Sequence, residues 1–343
     1  MTENKKLLND VVIIRPLIIF LLVVYHSLCI YNDQWVMPVG INKVNVYKWF
    51  ADFLSAFRMP VIIFIAGYVY AYQVITLEKI CSLGNFAKKK FKRLILPCIF
   101  FSTIYLLLFS DVLNTPILRI IESLLSGAGH LWFLSMLFWG FIFINVIDKF
   151  KINHWFILFL SCLLFLFPIP IPLGIGKGCH YFVYFYLGYF IWERHDKFIA
   201  IFCRWKYIIV AITFLFVLFF AKEMSIVKFL LGEEGNIIAK GILKCFDLFI
   251  AVWGIFCVYI VVNFFTTICH YKPSPWMIVS SHVCYGVYVY HQFILEFIYY
   301  KSPLPFILDS LWLPLFAFVI TLLGSLILTQ VSLKTKLGRC LIG

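Results

Sequence analysis

The chain has 343 residues, of which 63% are hydrophobic, 20% aromatic and only 13% charged, with a mean hydropathy of +0.98. Soluble globular chains carry about a quarter charged residues and just under half apolar ones. The composition therefore excludes a soluble enzyme, a disordered chain and a disulfide scaffold, and it points to an all-α polytopic membrane protein forming one membrane-embedded domain over residues 1–343. The net charge of +13 calls for no nucleic acid, because basic residues beside apolar spans orient a protein in the lipid bilayer. The 11 cysteines are scattered without a C-x-x-C pair, several inside apolar runs, which argues against disulfides or a metal site.

A spanning helix needs about 20 mainly apolar residues. After the short leader Met1–Asp10, the pattern predicts ten such helices, at 11–31, 49–76, 94–110, 130–148, 154–172, 178–193, 206–222, 243–266, 282–300 and 311–331. The first run is long enough to be a retained helix and not a cleaved signal. Pro168, Pro170, Pro172 and Gly174 interrupt the stretch between the fifth and sixth. Ten spans place both termini on one side. About two-thirds of the 29 Lys and Arg fall on that side, which makes it the cytoplasm. No half of the chain repeats the other, and the longest outer loop, 223–242, is too short for an appended outer domain.

An ionisable group at the centre of a membrane helix costs about 2.5–3.5 kcal/mol and is a functional-site hypothesis by default. The first span, RPLIIFLLVVYHSL, carries two, Arg15 and His26. Eleven helical steps bring them to within about 20° of one azimuth and about 16 Å apart along the axis. Read alone, Arg15 is a snorkelling arginine and His26 a packing histidine; together they line one seam. In the second span, FLSAFRMPVIIFIAGYVYAY, Arg58 precedes Pro60, which disturbs local helix bonding. Gly67 in the same span reads as a close-packing residue.

The segment NFAKKKFKRLILP then places Lys88, Lys89, Lys90, Lys92 and Arg93 at the cytoplasmic side. It is either an anchor for anionic lipid or a clamp for the phosphates of a cytosolic donor. The fourth span opens with GAGHLWFLSML, putting His130 and Trp132 at interface depth, where an aromatic belt with a solvated histidine is the plain reading. In the ninth span Tyr288 and His291 are three apart and share a helix face. His154, His195 and His270 fall at span ends or in loops, where solvation is the default.

These motifs, in this order, resemble the acyltransferase-3 family of integral membrane O-acyltransferases, over about Asp10 to Val331. Within it the likeness is greatest to the fucose 4-O-acetylase-like group that modifies bacterial surface polysaccharides such as lipopolysaccharide O-antigen and exopolysaccharide. The family's arginine-ten-residues-histidine pattern is matched by Arg15 and His26. Its "MPLFFFLSGY" pattern is matched by Met59 to Tyr68, and its basic stretch before Leu and Pro by Lys89 to Pro97. Its "HLWFL" element is matched by His130 to Leu134, and its late Tyr-x-x-His by Tyr288 and His291. The chain departs from the pattern in three respects. Arg58 stands where histidine is common, Ala66 where serine is usual, and lysines stand where arginines are common in the basic stretch.

The resemblance implies an enzyme with His26 as catalytic residue and Arg15 required for activity. It assigns Lys89, Lys90, Lys92 and Arg93 to the acyl-CoA donor, acetyl-CoA being the expected one. Arg58, His130, Trp132, Tyr288 and His291 remain for acceptor binding or oxyanion stabilisation. The expected acceptor is a polysaccharide or lipid-linked sugar, the expected location the bacterial inner membrane, and no bound cofactor is expected. A transporter or flippase of a lipid-linked glycan is the competing class, since it need not bind CoA.

Overall fold

A computed structural model describes residues 8–79, 82–150, 152–223 and 237–343. The leader lysines Lys5 and Lys6, and also Lys151, Lys228 and most of the outer loop at 223–242, lie outside the described residues. All regular structure among the described residues is helical. The helices are α1 (Asn9–Leu28), α2 (Asn45–Ala71, extended by a π turn Tyr72–Thr76), α3 (Leu83–Lys90, followed by a π turn Phe91–Ile95), α4 (Leu96–Phe109), α5 (Ile117–Ser126), α6 (Trp132–Phe150, entered through a 3-10 turn Gly129–Leu131) and α7 (His154–Leu166). They continue as α8 (Ile175–Glu193), α9 (His195–Phe202), α10 (Trp205–Glu223), α11 (Ile237–Asn263, with a π turn Phe264–Ile268), α12 (Pro275–Tyr300), α13 (Leu304–Ile307), α14 (Leu313–Lys334) and α15 (Lys336–Ile342).

Each predicted apolar run falls on a helix, but not all of those helices meet the demands of a span. Among the described residues, six segments are long and apolar enough to cross a membrane: Asn9–Leu28, Asn45–Thr76, Leu83–Phe109, Gly129–Phe150, Lys240–Ile268 and Leu313–Lys334. A seventh is counted if His195–Phe202 and Trp205–Ala221, bent by 90°, form one span. The protein is thus a multi-pass membrane protein. The fifth predicted span is the clearest difference: α7 has only 13 residues. Asn153 opens it by accepting from the Trp155 and Phe156 amides, and the proline run from Pro168 prevents its continuation. Helices α8 and α12, of 19 and 26 residues, are long enough but less apolar, since α8 carries Lys177 and His180 near its start, α12 carries Ser280, Ser281, His282, His291, Gln292 and Glu296, and both hold several tyrosines.

The chain divides into two compact units. The first comprises Met1–Ile62, Arg194–Tyr288 and Ile294–Gly324, and the second Ile63–Glu193, Val289–Phe293 and Ser325–Gly343. In the first unit, α10 and α11 pack around Ala211, Leu215, Leu218, Ile250 and Cys257. The stretch after α1 is tied to the stretch after α12 by hydrogen bonds. Tyr31 donates to the Ser310 carbonyl, the Asn42 amide donates to Ser310 Oγ at 2.9 Å, Tyr47 donates to the Leu311 carbonyl at 2.7 Å and Tyr300 to the Val36 carbonyl at 2.9 Å. Tyr299 donates to the Ser27 carbonyl in the last turn of α1. The last of these bonds satisfies a carbonyl that the end of α1 leaves open, and together they hold the loop after α1 in place.

In the second unit, α8 packs on α6, α7 and the second half of α2. The last contact has no room for side chains. A methyl group on Gly67 would come within 1.9 Å of the Phe185 carbonyl oxygen, and one on Gly188 within 2.0 Å of the Phe64 carbonyl oxygen. Each helix thus offers a glycine to the other's backbone, the close approach that small residues permit between membrane helices. Gly67 is a packing residue. Gly67→Ala is expected to destabilise the fold by about 1–3 kcal/mol through overpacking, read as a lower Tm in detergent; Gly84→Ala, which meets open space, is expected to leave Tm unchanged.

Candidate functional site

In the first unit α1 carries Arg15 and His26 on one continuous helix. Pro16 removes one backbone donor near its start without ending it. Arg15 is exposed. His26 is half-buried in the last turn. The Trp35 ring stacks on it, with centroids 5.9 Å apart at 22°, and Trp35 in turn packs edge-on against Tyr299 at 6.2 Å. The hydrogen bonds that fasten the loop after α1 therefore also fix the aromatic wall beside His26.

The neighbouring Tyr25 organises a second group of side chains. The Arg58 guanidinium lies 3.3 Å from the centre of the Tyr25 ring. Arg58 is only 7% exposed, so it does not snorkel to water. Cation–π contact with a tyrosine is worth about 2 kcal/mol when desolvated, but it uses no N–H donor. Arg58 Nε makes no hydrogen bond, and among the described residues no carboxylate lies in ion-pair range of Arg58. Asn32 is also buried; its amide nitrogen donates to Asp52 at 3.2 Å, and its Oδ1 has no donor. Tyr288 is 4% exposed in the same unit.

The second unit holds the other predicted site residues. Lys89, Lys92 and Arg93 are exposed around the junction of α3 and its π turn. Lys90 is placed differently: its ammonium lies 3.3 Å over the Phe141 ring and 5.3 Å from Phe86. His130 is buried, which differs from the solvated histidine that its interface position suggests. The positive φ of Gly127 and Gly129 turns the chain into α6 and carries His130 inward. Its Nε2 lies 3.0 Å from the Val289 carbonyl oxygen in α12. A carbonyl only accepts, so this nitrogen carries the proton. The His130 and His291 rings meet edge to face at 5.0 Å, and His291 is fully buried. Trp132 stacks on Tyr181 at 5.5 Å and lies 4.8 Å from the Lys177 ammonium.

Several polar residues that sequence reasoning passes over are also organised. Tyr70 donates to Asp148 at 3.0 Å. His154 Nδ1 lies 2.8 Å from the Tyr186 hydroxyl and its Nε2 3.4 Å from Glu193. His195 Nδ1 lies 2.8 Å from the Tyr259 hydroxyl. These histidines are hydrogen-bonded elements of the fold, not solvated loop residues. Asp148 had a signal in the sequence, a carboxylate at the end of an apolar run. Tyr25, Asn32 and Trp35 had none, because such residues are ordinary at a membrane interface.

A family model described as an acyltransferase domain, acyltransferase-3, matches residues 11–330. The chain belongs to the acyltransferase-3 family. The match begins in the first turn of α1 and ends near the end of α14, so every predicted site residue lies within it. No curated protein and no solved structure matches. Family membership makes this a membrane acyltransferase.

His130→Ala removes a buried donor from the Val289 carbonyl and an edge contact from His291. It is expected to cost about 1–3 kcal/mol, seen as a Tm decrease in detergent. Lys89→Ala, at an exposed position, serves as the control and is expected to leave Tm unchanged.

Proposed function

We propose that this acyltransferase moves a short acyl group, acetyl first among them, from cytosolic acyl-CoA to a hydroxyl of a surface polysaccharide or a lipid-linked sugar. On this reading it works in the bacterial cytoplasmic membrane, with both termini in the cytoplasm. One observation carries it: His26 stands half-buried at the end of α1 against Trp35, in a family of acyltransferases. A spanning enzyme suits substrates made on opposite sides of a membrane.

His26 acts as the general base. Imidazole titrates near neutrality in water, which suits both taking and returning a proton. The acceptor hydroxyl gives its proton to the imidazole as its oxygen attacks the thioester carbonyl carbon. The new C–O bond forms, the C–S bond breaks, and the imidazolium returns the proton to the departing CoA thiolate. No external oxidant or reductant enters. Arg15, on the same helix about 16 Å away, steadies the donor. Lys89, Lys92 and Arg93 take CoA phosphates by charge-assisted hydrogen bonds, and Lys90 joins them by leaving its seat over Phe141.

His26→Ala is expected to insert normally and to lower acetyl transfer from labelled acetyl-CoA by about 10²–10⁴-fold; transfer at the wild-type rate would overturn the assignment. Neutralising Lys89, Lys92 and Arg93 together is expected to raise the KM for acetyl-CoA by about tenfold or more at nearly constant kcat, the pattern of lost uniform binding. A change in abundance alone, with KM unaltered, would leave the stretch a lipid anchor. A transporter would show neither dependence.

A further inference from the structure

Arg58 poses a problem that transfer chemistry alone does not solve. A guanidinium stays charged at any pH the cell reaches, and an ionised side chain removed from water needs a partner. Arg58 is buried, lacks a carboxylate among the described residues, and leaves Nε without a hydrogen bond. Tyr25 covers one face of the guanidinium at 3.3 Å. Nε remains without a partner, and the planar fork to which it belongs matches a carboxylate or phosphate.

A second unmet group belongs to the same cluster. Asn32 commits its amide nitrogen to Asp52, which fixes the orientation of the amide and leaves Oδ1 as a buried acceptor without a donor. Asn32 is joined to Asp52, six residues before Arg58 on α2, Arg58 lies over Tyr25, and Tyr25 adjoins His26 in sequence. The cluster thus offers an unmatched cation, an unmatched hydrogen-bond acceptor and, at Trp35 over His26, an aromatic face. An oxyanion, a hydroxyl and a sugar ring are the complementary groups.

We infer that Arg58, Asn32 and Tyr25 form an acceptor subsite for an acidic sugar, with Arg58 binding a carboxylate or phosphate oxyanion on the acceptor and Asn32 Oδ1 accepting from one of its hydroxyls. This rests on the acyltransfer reading above and deepens it by naming the charge of the acceptor. An oxyanion that forms only at the thioester would leave the Arg58 charge unmatched for the rest of the cycle, whereas an anionic acceptor neutralises it from the moment of binding. The two roles separate kinetically. An acceptor contact acts on KM for acidic acceptors alone, and a thioester contact acts on kcat for every acceptor.

The test uses the full chain in lipid nanodiscs with labelled acetyl-CoA and three acceptors: methyl glucuronide, methyl glucoside and methyl glucoside 6-phosphate. The expected result is a KM at least tenfold lower for an acidic acceptor than for the glucoside. The carboxylate and phosphate arms identify which oxyanion the subsite takes. Arg58→Gln should abolish the preference by raising KM for the acidic acceptors to that of the glucoside, and Arg58→Lys, which keeps the charge, should retain part of it in a folded protein. Asn32→Ala should raise KM for all three.

Equal KM values in the wild type, or a kcat loss common to all acceptors in Arg58→Gln with KM unchanged, would overturn the subsite. Thermal stabilisation by glucuronide and by the 6-phosphate, compared with glucoside in the wild type and in Arg58→Gln, reads the subsite without turnover. Arg58-dependent stabilisation by either acid in a protein that transfers to none of the three would refute the acyltransfer reading and spare the subsite. Absence of both transfer preference and stabilisation would refute the subsite.

Discussion

The governing constraint is that hydrocarbon offers the chain no hydrogen bonds. Every backbone N–H and C=O at membrane depth must find its partner inside the protein, and in a single segment only a helix does this. That requirement turns the apolar runs of this sequence into helices, and it makes each interruption matter. Pro16 and Pro60 fall inside α1 and α2, where each withdraws one amide while the helix continues. The proline run from Pro168 closes α7 after three to four turns. At the end of α1, Tyr299 donates to the Ser27 carbonyl, and bonds between the segments 31–47 and 300–311 fasten the loop that follows.

The same constraint makes charge informative. Most Lys and Arg residues sit outside the apolar runs, where water solvates them. The exceptions are resolved in different ways. Lys90 exchanges water for the faces of Phe141 and Phe86. Arg15 stays exposed. Arg58 is buried over Tyr25 with hydrogen-bonding capacity left over. His130 surrenders one ring nitrogen to a backbone carbonyl, which sets its tautomer and fixes it beside His291. Only Arg58 among these combines burial with an unmet donor, which is why it speaks for a ligand while His130 speaks first for the fold.

Much of this was legible without coordinates. The all-helical class follows from composition, and the helix positions follow from run length. Arg15, His26 and Arg58 stand out because ionisable residues are rare in such runs. The span count was less accessible, because run length does not reveal that α7 stops at 13 residues or that the α9–α10 pair bends by 90°. Nor does spacing reveal burial. His130 and Trp132 are two residues apart in one motif, yet one is a buried hydrogen-bond donor and the other part of a half-exposed stack with Tyr181.

By itself, then, the sequence determined the solvent, the secondary structure and the short set of residues able to do chemistry, because those depend on local composition and on the cost of charge in hydrocarbon. The tertiary structure decided which of these residues have their polar groups satisfied. Trp35 lies against His26 because hydrogen bonds between partners 279 and 268 residues apart in the chain hold its loop there. Gly67 is irreplaceable because the Phe185 carbonyl occupies the space a side chain would need. Hydrogen-bond satisfaction and close packing are set by neighbours distant in sequence, and no local pattern encodes them.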